Sequence, residues 1–107
     1  MTVRPPSIFA PKQQPDALTS VLDSEMLAEK ASALGHHGRL VEKALAALRS
    51  CPAEAEERPA IRAAAAQAVW AFFVQRELCG LRDQRDVIRF YDIPQEVLVR
   101  LGASEKT

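Results

Sequence analysis

Apolar residues recur at alternating intervals of four and three positions through much of the first half of the chain. They are Leu27, Ala31, Leu34, Gly38, Val41, Leu45 and Leu48. This spacing places apolar positions on one face of an α-helix, as in a heptad repeat. No proline interrupts residues 16–51. The pattern therefore predicts one long helix over residues 17–49, with Asp16 as its N-cap.

A glycine-histidine motif, Gly35-His36-His37-Gly38, lies inside this predicted helix. Each glycine costs a helix about 1 kcal/mol relative to alanine, so a helical hairpin broken at Gly35–Gly38 is the alternative. The apolar stripe passes through the motif without a change of phase, which favours the continuous helix. Gly38 then lies on the stripe, where a missing side chain lets a neighbouring helix approach closely.

The two histidines also raise the question of a metal or acid–base site. Helical metal sites usually pair a histidine with a second ligand three or four positions away. No carboxylate, thiol or imidazole lies at those distances from His36 or His37. We therefore expect solvated or interface histidines, with no metal and no cofactor, unless ligands come from another helix or subunit.

A second helix is predicted over residues 57–80, with Pro59 in its first turn and Gly80 as the residue that ends it. Its centre, "AVWAFFV", is apolar nearly all round. A helix of that kind is surrounded by other helices, and few are available in a chain of this size, which favours a homodimer. The residues predicted for the interface are Gly38, Trp70, Phe73, Arg76 and Glu77.

The C-terminal part predicts two short helices, one over residues 83–91 and one that ends at Leu101, with Asp92 as the N-cap of the second. Their order resembles a helix-turn-helix, so DNA binding through residues 83–101 is the alternative function. Residues 82–107 hold five basic and five acidic residues, and this zero net charge makes nucleic acid an unfavourable partner. The groove-facing positions of such a motif would be Gln95, Glu96, Val99 and Arg100.

Composition sets the remaining limits. The chain has 107 residues and a formal net charge of zero, and no segment alternates as a β-strand does, which predicts an all-α fold. Four prolines in residues 1–16 predict a flexible arm, followed by one helical domain over residues 17–102 and a tail over residues 103–107. No apolar run is long enough for a membrane span or a signal peptide, and two cysteines are too few for a disulfide framework. We therefore expect a cytoplasmic protein.

Three segments resemble an uncharacterised bacterial family of small helical proteins. They are "LAEKASALG" from Leu27, "WAFFVQRELCGLRD" from Trp70 and "VIRFYDIPQEVLVRLG" from Val87. The resemblance implies a bacterial, cytoplasmic, stand-alone helical domain, and it implies no activity and no functional residue.

Catalytic sequence motifs are also missing. There is no glycine-rich phosphate loop, no Gly-x-Ser-x-Gly, no His-Glu-x-x-His and no EF-hand spacing. The sequence thus favours a non-catalytic protein-interaction or homodimerisation module.

Overall fold

The computed structural model describes residues 17–102, which form four α-helices. They are α1 (Ala17–Ser50), α2 (Arg58–Leu78), α3 (Arg85–Tyr91) and α4 (Gln95–Leu98). No strand occurs within residues 17–102, and the all-α prediction is confirmed. The predicted arm over residues 1–16, the N-cap Asp16 and the tail over residues 103–107 lie outside the described residues.

The glycine-histidine motif lies inside a continuous helix. α1 runs for 34 residues through Gly35 and Gly38, so the alternative of a helical hairpin is wrong. The described residues divide into two units, residues 17–32 and residues 33–102. Each unit is described by itself below.

The hydrophobic core belongs to residues 33–102. Val41, Leu45 and Leu48 project from α1 at the predicted stripe positions and are at most 2% exposed. The other core residues are Ala65, Ala66, Val69, Phe72, Phe73, Val87, Ile93 and Val97.

α2 ends just before Gly80, the residue predicted to end this helix. Gly80 has φ +86°, a left-handed conformation that glycine adopts without steric cost. The Leu81 N–H donates to the Arg76 carbonyl oxygen at 2.9 Å, and the Gly80 N–H donates to the Glu77 carbonyl oxygen at 2.9 Å. These two bonds form a Schellman cap, which satisfies carbonyls at the helix terminus.

Asp92 corrects one prediction. It is the C-cap of α3 and not the N-cap of the next helix, because its backbone is left-handed, with φ 54°. Arg49 donates to the carbonyl oxygens of Tyr91 at 2.8 Å and of Asp92 at 3.0 Å, and so binds this turn to the end of α1. The helix that follows, α4, is a single turn that ends at Leu98, short of the predicted Leu101.

An ion pair connects α4 to α2. The Arg58 guanidinium donates to the Glu96 carboxylate at 2.6 Å, and Arg62 lies 3.7 Å from the same carboxylate. Arg58 also donates to the backbone carbonyls of Leu48 and Cys51, at 3.3 and 2.9 Å. One guanidinium therefore joins the C-terminal end of α1 to α2 and α4.

Candidate interaction surfaces

The N-terminal segment of α1, residues 17–32, is a helix without a buried side chain. Every residue in this range is exposed. Five of them are large apolar residues, which normally lie in a core or an interface. Their exposed fractions are Leu18 69%, Val21 51%, Leu22 51%, Met26 56% and Leu27 67%.

Four of these apolar residues share one side of the segment. Counted from Leu18, the other three lie three, four and eight positions further on, at Val21, Leu22 and Met26. This is the spacing of residues on one helix face. Glu25 lies on the same face, seven positions after Leu18. The segment holds Asp23, Glu25, Glu29 and Lys30, three acidic residues and one basic residue, for a net charge of −2.

The remaining part of α1, residues 33–50, has a second exposed face on the side away from the core. His36, Leu40, Lys43 and Ala47 are exposed there at intervals of four, three and four positions. Leu40 is 40% exposed. We call these four residues the outer face of α1. The charged residues of 33–50 are Arg39, Glu42, Lys43 and Arg49, three basic and one acidic, for a net charge of +2.

α2 is not enclosed in the way its composition predicts. Trp70, Val74 and Leu78 recur every four positions and are 49%, 39% and 69% exposed, so they form an apolar strip along one side of the helix. Among the described residues, the Trp70 ring lies beside Gly102, where an added Cβ would stand 3.7 Å from the ring. The apolar run "AVWAFFV" therefore serves both the core and an exposed surface.

Two residues predicted for the interface lie in the core. Phe73 is 8% exposed. Gly38 is buried by the chain's own aromatic side chains, since an added Cβ would lie 2.7 Å from Tyr91 Oη and 3.8 Å from Phe72 Cε1. The close neighbour predicted for Gly38 is thus the side chain of Tyr91, which projects from α3.

The other predicted interface residues differ in their surroundings. Arg76 is partly buried and donates from Nε to Gln84 Oε1 at 2.6 Å and from Nη2 to the Asp83 carbonyl oxygen at 3.0 Å. These bonds hold the connection between α2 and α3. Glu77 and Trp70 are exposed. An interface role for these two residues stays a prediction.

A shallow groove of about 490 Å³ opens between α2 and α3. Its lining combines aromatic rings with one cation and one carboxylate: Phe72, Arg76, Asp86, Val87, Phe90 and Tyr91. Burial raises the pKa of the Tyr91 hydroxyl, and the charge of Glu42 raises it further. The Tyr91 and Phe72 rings meet edge to face at 5.6 Å, which fixes the tyrosine over Gly38.

The histidines lie beside each other with their ring centroids 5.6 Å apart. His36 is exposed and His37 is partly buried, and the buried Nδ1 of His37 has no hydrogen-bond partner within residues 17–102. No group of three or more potential metal ligands occurs in the described part of the chain.

The four predicted groove-facing residues of the helix-turn-helix outline differ in their surroundings. Glu96 is bound to Arg58, and Arg100 donates to the Glu96 carbonyl oxygen at 3.1 Å. Gln95 and Val99 are exposed. DNA binding by residues 83–101 stays a prediction that no described contact favours.

Comparison with known proteins identifies a family. A family model described as a family of unknown function, DUF6665, matches residues 2–107. The chain belongs to this family. No curated protein and no solved structure matches this DUF6665 chain. Within residues 17–102, none of its helices has the length and apolar character that crossing a membrane requires.

Proposed function

We propose that this DUF6665 protein is a non-catalytic helical module that forms a homodimer through the N-terminal segment of α1. The observation that carries this proposal is the complete exposure of residues 17–32 together with their five large apolar side chains. Most helix stability in proteins comes from packing an apolar face, and this part of α1 packs its apolar face against nothing within residues 17–102. A partner that covers this face would provide that packing.

A second copy of the chain is the partner we propose. Most soluble oligomers are closed homo-oligomers, and a two-fold pair offers the same surface from both subunits. Residues 33–102 have their own core, so each subunit already has a folded body that can present α1. We place this module in the bacterial cytoplasm, a reducing compartment that suits the free thiols of Cys51 and Cys79.

The proposal is tested by light scattering at micromolar concentration. The wild-type chain should have about twice the 11.8 kDa mass of the monomer. Leu22→Asp should give the monomer mass, because it places a charge in the buried apolar face of the dimer, at a cost of several kcal/mol. Leu22 is 51% exposed in the single chain, so the substitution should leave the fold of the monomer intact.

Two control variants make this test specific. Ser24→Asp adds the same charge to the same segment at an exposed polar position and should remain a dimer. Trp70→Asp changes the apolar strip of α2 and should also remain a dimer. A wild-type monomer would overturn the proposal, and a dimer that only Trp70→Asp dissociates would place the interface on α2.

A further inference from the structure

We infer that the N-terminal segment of one copy packs on the outer face of α1 in the second copy, so that the two α1 helices run antiparallel. This inference rests on the proposed homodimer and identifies the surface that receives the segment. Each copy then provides one segment and one outer face, and the two contacts are equivalent by the two-fold symmetry of the pair.

Net charge favours this arrangement over a parallel one. Residues 17–32 carry a net charge of −2, and residues 33–50 carry +2. An antiparallel pair places the acidic segment of each copy against the basic part of the other, twice in each dimer. A parallel pair in register would place acid on acid and base on base, and charge patterns of this kind select partners and orientation in helix pairs.

Like charges within each part of α1 give a second reason. Glu25 and Glu29 are four positions apart, and so are Arg39 and Lys43. Like charges at this spacing destabilise a lone helix by a few tenths of a kcal/mol. A partner of opposite charge relieves both repulsions, and the other part of α1 in a second copy has that charge.

Side-chain size gives a third reason. The N-terminal segment presents large apolar side chains. The outer face of α1 presents Leu40, Lys43 and the small Ala47, with the basic Arg39 beside them.

Charge exchange tests the inference by sedimentation equilibrium at low salt. Two double variants are used. One combines Glu25→Lys with Glu29→Lys, and the other combines Arg39→Glu with Lys43→Glu. In each of them both parts of α1 carry the same sign of charge. Each double variant should raise the dissociation constant of the dimer at least about tenfold, since several opposed pairs change from attraction to repulsion. The effect should shrink at high salt, where exposed charges are screened.

Two recombined samples complete the test. The quadruple variant, with all four substitutions, restores opposite charges and should regain the wild-type dissociation constant. An equimolar mixture of the two double variants should form a heterodimer. Glu54→Lys with Glu56→Lys, in the exposed connection before α2, is the matched control and should leave the dissociation constant unchanged.

The outcomes separate this inference from the proposed function. A wild-type monomer would remove both. The other outcome is a wild-type dimer whose dissociation constant is unchanged by either double variant and by the quadruple variant. That result would overturn the antiparallel arrangement and leave the homodimer standing.

Discussion

Gly35 and Gly38 belong to one helix but have different surroundings. Gly38 lies under Tyr91, whose hydroxyl occupies the space that a methyl group would need, at 2.7 Å. At Gly35 an added Cβ would meet only the end of the Arg39 side chain, at 3.4 Å. Both have an ordinary helical backbone, since neither has a positive φ. The first glycine is therefore replaceable, whereas the second admits an aromatic ring from α3.

Alanine substitutions should separate these roles. Gly35→Ala should raise the free energy of unfolding by up to about 1 kcal/mol, because alanine is the better helix former. Gly38→Ala should give no such gain, because the new methyl group displaces the Tyr91 hydroxyl. In a Tyr91→Phe background the gain should return, with a coupling above about 0.5 kcal/mol.

Denaturant titration at one fixed protein concentration measures the free energy of unfolding of all five proteins, which are the wild type, the three single variants and the Gly38→Ala/Tyr91→Phe double variant, since dimerisation makes stability depend on concentration. Equal stabilisation by Gly35→Ala and Gly38→Ala in the wild-type background would contradict the packing described for Tyr91.

At the scale of the elements, the sequence predicted what depends on neighbouring residues. The continuous phase of the apolar stripe gave α1, and the glycine signal gave the end of α2. The left-handed Asp92 and the one-turn length of α4 were missed. Both elements are bound by arginines from about forty positions away, Asp92 by Arg49 and Glu96 of α4 by Arg58. No local pattern contains such a contact.

α4 depends on one ion pair in particular. Glu96→Gln should lower the free energy of unfolding by about 1–2 kcal/mol, because it weakens the half-buried bond from Arg58. Asp86→Asn is the matched control. It changes the exposed pair with Arg89, and exposed pairs contribute little, so it should stay within about 0.5 kcal/mol of wild type. Equal effects of the two variants in thermal or chemical unfolding would argue against this role for Glu96.

At the scale of the whole molecule, the predicted interface and the exposed surfaces differ. Gly38 lies on the apolar stripe and Phe73 in the apolar run of α2, and both were predicted to pack against another subunit. Both are instead buried by residues of the same chain. Trp70 is exposed on α2, and exposed apolar residues outside the predicted set lie at Leu18, Leu22 and Met26. Their four-residue spacing is visible in the sequence, but it is out of phase with the stripe that begins at Leu27. That phase difference separates the core face of α1 from the exposed apolar face that we propose for the dimer.

The central claim is that residues 17–32 are stabilised as a helix by a second copy of the chain. Hydrogen exchange of backbone amides, followed residue by residue above and below the dissociation constant of the dimer, tests it most directly. The amides of residues 17–32 should lose protection on dilution and in Leu22→Asp, while the core amides of Val69 and Phe72 keep theirs. Exchange of residues 17–32 that is equally fast at both concentrations, or equally slow at both and in Leu22→Asp, would contradict the claim.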